Sequence, residues 1–350
     1  MLPYGGDGGM QITVERLVVG LRERGLDVQL AVGSQSARDT MTSEADFSFP
    51  ELNARPADAV RAAWVLRSHI RISRPDIVHG HGLRLAPVLT VATAARRPVP
   101  LIVTCHGIPP EQLVRAARFV KMSRAVIASC GEGPRALLAV RGIQGPLLRN
   151  GVPPPSGPSD RTALMQSWGL SKELALVISP GRLVAGKNQL TAIRTIQHLP
   201  GAALVIVGDG PMHDALQAEV DALGLTGRIR LVGWRSDVPS LIAAADALLL
   251  PSYGEGHSLV VVEAMMASVP VVAASSRGLR EWLVHEDNAL LAPVTDHQEL
   301  ADCLGRVFRE EGLRDRLIEG GRRTAELHTL RAMLDDHIQL YRELACKIRT

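Results

Sequence analysis

The sequence predicts an α/β protein of two doubly wound domains facing a central cleft. Three observations carry that class: short apolar, β-branched runs alternating with longer amphipathic stretches, a length of 350 residues, and a proline-rich break near the middle. In the first half the runs are Val28–Val32, Ile77–His79, Leu101–Thr104 and Val126–Ala128. In the second they are Leu176–Ser179, Ala203–Val207, Ile229–Val232, Ala247–Leu250 and Pro270–Ala273. Runs without polar alternation suit buried parallel strands, because helices cover both faces of such a sheet. The length exceeds that of one usual domain, so two cores are expected.

The break is Pro153-Pro154-Pro155-Ser156-Gly157-Pro158, which lacks amide donors at four positions and continues neither a helix nor a central strand. The expected organisation is an N-terminal domain over residues 1–152, a linker over 153–170, a C-terminal domain over 171–328 and a closing helix over 329–350. Leu330, Met333, Leu334, Ile338, Leu340, Tyr341 and Leu344 give that tail its helical spacing. Doubly wound sheets bind ligands beyond the carboxyl ends of their strands, which places the expected active site between the lobes. At the N-terminus, Met1-Leu2-Pro3 leads directly into Tyr4-Gly5-Gly6-Asp7-Gly8-Gly9 and a helix-like run from Gln11 to Arg24. The strand expected before such a glycine turn is missing, so either the sheet lacks its first strand or the true start lies upstream.

Hydrophobic residues make up 46% and charged residues 21%, an ordinary globular balance. No apolar stretch reaches the roughly 20 residues that cross a bilayer, and no export signal opens the chain, so the cytoplasm is expected. Cys105, Cys130, Cys303 and Cys346 lie far apart without a Cys-x-x-Cys pair, which argues for inert, reduced thiols. Residues 1–165 hold 20 Lys and Arg against 13 Asp and Glu, while the remainder hold 19 against 23. The basic half suits an anionic acceptor or membrane surface, or simply a solvated arginine-rich face. Arg115, Arg118, Lys121 and Arg124, three residues apart, form one such candidate face for peripheral contact with anionic lipid.

The strongest chemical candidate is Leu248-Leu249-Leu250-Pro251-Ser252-Tyr253-Gly254-Glu255-Gly256-His257-Ser258, read as a strand and a turn entering an apolar helix over Leu259 to Ala267. Ser258 is the expected N-cap. A glycine-flanked turn at a helix N-terminus presents free amides and the positive end of the dipole, which suits a diphosphate. Glu263 lies inside that apolar helix, where a carboxylate is costly to bury unless paired or bound to a polar ligand.

A second cluster, Pro180-Gly181-Arg182-Leu183-Val184-Ala185-Gly186-Lys187-Asn188, follows the strand at Leu176–Ser179. Arg182 binds phosphate through a planar fork and Lys187 as a point charge. The spacing also matches the phosphate loop of nucleotide hydrolases, but Asn188 stands where Ser or Thr would hold magnesium. Val207-Gly208-Asp209-Gly210-Pro211 is a third strand end that can line a nucleotide pocket. In the first half, His106 closes the strand of Thr104-Cys105-His106-Gly107, and His79 and His81 invite a metal reading without an acidic partner nearby.

Together these segments resemble the retaining nucleotide-sugar glycosyltransferases of family 4, also called group 1, which have the GT-B fold of two Rossmann-like domains. The likeness lies in Gly181-Arg182-Leu183 with Lys187, in Val207 to Pro211, in Pro251-Ser252 with Glu255-Gly256, and in Glu263-Ala264-Met265 followed by Pro270-Val271-Val272. Gly278 and Glu281 continue it. In the first half, the loop around Gly6, the strand end from Asp76 to His81 and the segment from Thr104 to Gly107 are similar to the family's acceptor-side domain.

The resemblance implies transfer of a hexosyl unit from a nucleotide-sugar donor, a UDP- or GDP-sugar, to a glycan, lipid-linked or small-molecule acceptor, in cell-envelope or glycan biosynthesis. It implies that Arg182 and Lys187 neutralise the donor diphosphate, that Glu263 holds the ribose, that Glu255 contacts the sugar, and that His106 approaches it. Gly6, Gly208, Val232, Trp234, Gly256, His257, Ser258 and Leu259 would complete the donor site. No metal, no other cofactor and no nucleic-acid partner are implied. Three departures from the family pattern stand out: His257-Ser258 for Phe-Gly, Ser268 for a glycine, and Asn288-Ala289 at another glycine. His257 is thereby expected to narrow the sugar pocket. The rival readings are a sugar-nucleotide epimerase of the same architecture and a degenerate, non-catalytic binding protein.

Overall fold

The computed structural model describes residues 8–33, 45–52, 55–94, 99–106, 117–118, 120–121, 123–155 and 157–349. The chain divides into two compact units, Met1–Gly151 with Leu330–Thr350, and Val152–Thr329.

The second unit is built on six parallel strands in the order β11-β10-β9-β6-β7-β8: β6 is Ala175–Pro180, β7 Ala202–Val207, β8 Ile229–Leu231, β9 Ala247–Leu250, β10 Val271–Ala274 and β11 Leu290–Ala292. The chain starts at the centre, runs outward through β7 and β8, then returns to β9 beside β6 and runs outward the other way. The strand order therefore reverses between β6 and β9, where doubly wound sheets open a ligand crevice. Leu176, Ile178, Leu248 and Leu250 pack into one core layer, while Val177, Leu204, Ala247 and Leu249 pack into the other. Burial on both faces is why these strands read as continuous apolar runs.

The first unit holds three parallel strands, β3 (Val78–His81), β4 (Leu101–Cys105) and β5 (Val126–Ser129), and a separate parallel pair, β1 (Ala31–Val32) with β2 (Phe47–Ser48). The helix Leu330–Arg349 returns to this unit, where Met333 and Leu334 pack on Leu17 and Leu21 of the helix Gly9–Glu23. Arg24 and Asp335 add an ion pair at 2.5 Å between these two helices.

Several expectations differ from the observed elements. The stretch expected as a linker carries the helix Arg161–Ser167, capped by Asp160, whose Oδ1 accepts from the Ala163 amide at 3.0 Å. Met165 of that helix is fully buried in the second unit's core. Of the run Val28–Val32, only Ala31 and Val32 pair as strand. The glycine turn before Gly8 lies outside the described residues. Cys105, Cys130 and Cys303 are buried free thiols and Cys346 an exposed one; burial pushes the Cys303 thiol up to about 11. Among the described residues, no helix is long and apolar enough to cross a membrane.

Candidate functional site

The loops after β6 and β9 meet at the reversal of strand order. After β6, Gly181 and the exposed Arg182 lead into a 3₁₀ turn, Ala185–Lys187, and then into Asn188 at φ 56°. Asparagine tolerates this left-handed backbone better than most residues. Its buried side chain joins the two loops: Nδ2 donates to the Pro251 carbonyl at 3.1 Å, and Oδ1 accepts from Thr191 Oγ1 at 3.0 Å. The Tyr253 amide donates to the Gly186 carbonyl at 3.1 Å. Across this seam Lys187 Nζ donates to Glu255 Oε1 at 2.5 Å, with the glutamate side chain 11% exposed. Asn188 was legible only as the wrong residue for a magnesium-binding loop, because Pro251, its principal partner, lies far along the chain.

The β7 loop packs backbone to backbone on the β6 loop. A Cβ on Gly208, at φ 141°, would lie 2.1 Å from the Gly181 carbonyl oxygen, and one on Gly210, at φ 153°, 2.6 Å from that of Leu183. Both positions therefore require glycine. The Leu183 amide donates to Asp209 O, and the Gly208 amide to Gly233 O, each at 2.8 Å. Gly233 lies between a half-buried Val232 and an exposed Trp234, so this loop presents the indole to solvent.

The helix after the β9 loop is Leu259–Met266. Ser258 occupies its N-cap position with extended backbone, but its side chain makes no capping hydrogen bond. The expected N-cap bond is thus absent, and the first-turn amides are left uncapped by Ser258. Glu263 was expected to be buried; it is half-buried, because Val261, Val262, Ala264 and Met265 take the core-facing positions. It lines a recess with Pro153, Pro154, Pro155, Pro239 and Met266. Glu255 and Gly256 lie against Gly278, where a Cβ would stand 1.7 Å from the Glu255 carbonyl oxygen. His257, expected to narrow a sugar pocket, has its ring buried against His328 at 4.3 Å and Trp282 at 4.7 Å between centroids. Two buried hydroxyls at the ends of β9 and β10, Ser252 Oγ and Ser276 Oγ, have no partner among the described residues.

In the first unit, β3, the end of β4 and the helix Leu330–Arg349 bring four imidazoles and Tyr341 together. His79 Nδ1 is 2.7 Å from Tyr341 Oη, and its Nε2 is 2.7 Å from Thr104 Oγ1. Its ring stacks on His81 at 4.3 Å, and His81 Nδ1 lies 2.9 Å from His106 Nε2. His337 Nδ1 donates to the Met333 carbonyl at 2.7 Å. Burial holds all four imidazoles neutral, lowering His106 to about 3 and His337 to about 4, and lowering His79 and His81 as well. The facing nitrogens of His81 and His106 share one proton between the rings, an arrangement unlike that of diverging metal ligands. Among the described residues, no three His, Cys, Asp or Glu side chains group as ligands would. Gly6, Gly107 and Arg115 lie outside the described residues, while Arg118, Lys121 and Arg124 are exposed.

Comparison with known proteins agrees with this geometry. The model of the group 1 glycosyl transferases matches residues 160–324, and that of the glycosyl transferase 4-like domain matches residues 8–155. The lipopolysaccharide core biosynthesis glycosyltransferase LpsD of Rhizobium meliloti (strain 1021) is 25% identical over 97% of this chain and 96% of the relative. LpsE of the same organism is 32% identical, but over 47% of this chain and 49% of that protein. The D-inositol 3-phosphate glycosyltransferase of Xylanimonas cellulosilytica is 27% identical over 96% and 93%. Among solved structures, Anabaena HepE in complex with UDP-glucose superposes with a TM-score of 0.83 at 20% identity, covering 98% of each chain. The chain belongs to the group 1 glycosyl transferases and has their GT-B fold of Rossmann-like domains.

Proposed function

We propose that this glycosyltransferase moves a hexosyl unit from a nucleotide sugar to a glycan, lipid-linked or small-molecule acceptor, with the anomeric configuration retained. The observation that carries the donor site is the Lys187–Glu255 ion pair at the reversal of strand order. Beside it stand the exposed Arg182 and the helix N-terminus that Ser258 leaves uncapped. A diphosphate needs cations and free amides, and the sugar beyond it needs a carboxylate to accept from its hydroxyls; this seam offers all three.

In this reading Arg182 and Lys187 stabilise the charge that develops on the departing diphosphate, the role a metal plays in other transferases. Lys187 exchanges part of its bond to Glu255 for a phosphate oxygen, which frees the Glu255 carboxylate for the sugar. The amides of Gly256 to Leu259 face the sugar and phosphates, Glu263 holds the ribose hydroxyls, and Val232 to Trp234 flank the base beside Gly208. His106 offers a nitrogen to the transferred sugar. No side-chain nucleophile is needed where the departing phosphate assists attack on the same face.

A UDP-sugar stands first among donors because the HepE structure was obtained with UDP-glucose, with a GDP-sugar second. LpsD and LpsE, lipopolysaccharide core biosynthesis glycosyltransferases, support an acceptor in cell-envelope glycan synthesis. The work site is the cytoplasm, with peripheral contact at an anionic inner membrane face and without a metal cofactor.

The test is a product assay with nucleotide sugars and candidate acceptors. A new glycosidic bond supports the reading, whereas a rearranged sugar without a bond to acceptor indicates an epimerase. Lys187→Ala and Glu263→Ala are expected to abolish nucleotide-sugar binding; intact binding in both variants refutes the site.

A further inference from the structure

We infer that His81 is a positioning residue for His106: it engages His106 Nε2 and leaves Nδ1 as the nitrogen offered to the transferred sugar. The inference rests on the proposed role of His106 and concerns a residue to which that reading gives no part.

The geometry begins in the sheet. His81 is paired with Thr104 in the parallel register of β3 and β4, so His106, two residues on, comes within reach of the His81 ring. The two rings meet at 2.9 Å through His81 Nδ1 and His106 Nε2. His106 Nδ1 is also buried, and it has no hydrogen-bond partner among the described residues. A buried polar nitrogen without a partner is destabilising, a cost that a ligand hydroxyl at this position would remove.

In a neutral imidazole one nitrogen donates and the other accepts. The bond to His81 therefore fixes more than the ring's direction. If His81 Nδ1 donates, His106 Nδ1 carries a proton and donates to the sugar; if His106 Nε2 donates, Nδ1 accepts. Either way, the tautomer of His106 is set by its partner.

His81 is itself held firmly. It is 3% exposed, and its ring stacks on His79 at 4.3 Å and 28°. Both nitrogens of His79 are occupied, by Tyr341 Oη and Thr104 Oγ1 at 2.7 Å each. Tyr341 comes from the helix Leu330–Arg349, so the returning C-terminal helix braces the ring that braces His106.

The experiment compares His106→Ala, His81→Leu, His81→Asn and Tyr341→Phe with the wild type. It measures kcat and KM for nucleotide-sugar turnover, the affinity for UDP, the melting temperature and the histidine ¹⁵N spectrum. Asparagine puts a hydrogen-bonding atom close to where Nδ1 stood, and leucine does not. His81→Leu is expected to lower kcat about ten-fold or more while leaving UDP affinity within about two-fold, as for a reacting group that is misplaced rather than lost. His81→Asn recovers most of that loss, and the His106 nitrogen signals move in His81→Leu toward averaged tautomers. If His81→Leu does not fold, Tyr341→Phe carries the test, with a smaller fall in kcat and unchanged UDP affinity. Wild-type kcat in His81→Leu, or an asparagine variant no better than leucine, overturns the inference. Loss of turnover in His106→Ala with none in His81→Leu overturns it while leaving the role of His106 intact. Wild-type turnover in His106→Ala removes both.

Discussion

At Gly278 one methyl group decides where Glu255 sits. A Cβ there would stand 1.7 Å from the Glu255 carbonyl oxygen, closer than any contact allows, so Gly278→Ala must move one backbone or the other. The expected outcome is a folded variant with nucleotide-sugar turnover reduced at least about ten-fold, read by steady-state kinetics beside a melting curve. Ser268 poses the opposite case, a side chain where the family has glycine. Its φ of 61° is left-handed, and Arg322 donates to its hydroxyl at 2.9 and 3.1 Å. Left-handed backbone costs a non-glycine residue about 1–3 kcal/mol, and the exposed hydrogen bonds offset part of that. Ser268→Ala should therefore melt below the wild type and Ser268→Gly at or above it; a Ser268→Gly variant that melts below the wild type would show that the hydroxyl outweighs the backbone relief. Asn288, a further departure, is explained by its amide, which donates to Trp282 O and Thr324 Oγ1 and accepts from the Val284 amide.

Elements show how far a sequence carries. The central strands β6, β7 and β9 were legible because burial on both faces leaves an unbroken apolar run. Phe47–Ser48 and Leu290–Ala292 were not, since two or three residues are too few to establish a period. The helix Arg161–Ser167 was hidden by the prolines before it, although Asp160 gave a capping signal. Of the candidate site, Arg182, Lys187, Glu255 and Glu263 could be named from residue type and position, but the Lys187–Glu255 contact could not, because it joins residues 68 apart. Asn188 makes the same point, joining two loops through one amide. Asn188→Ala removes both bonds and leaves the Pro251 carbonyl without this donor, for a loss of about 1–3 kcal/mol. Its UDP affinity should fall with its stability, as measured by denaturant titration and calorimetry; an unchanged affinity would mean that the two loops hold together without it.

At the scale of the whole molecule, the first unit gathers a set of neutral histidines, with His106 near 3 and His337 near 4. Unfolded, each titrates near 6.5, so between about 4 and 6.5 the unfolded chain binds more protons than the folded one. Stability therefore rises with pH through that window, levels off above it, and is lost as pH falls. Melting curves from pH 4 to pH 8 should show this slope, and His337→Gln should flatten it; a melting temperature independent of pH would mean that the histidines are not held neutral. In the second unit, the nucleotide sugar is proposed to bind at the reversal of strand order through Lys187, Glu255 and Glu263. The direct measurement is a thermal-shift panel of UDP- and GDP-sugars on the wild type and on Lys187→Ala. A ligand at 100 times its dissociation constant stabilises by about 2.7 kcal/mol, a shift of several degrees in a domain of this size. Such a shift is expected for at least one nucleotide sugar in the wild type, with its loss in Lys187→Ala; no shift with any donor, or an equal shift in the variant, would rule out donor binding through Lys187.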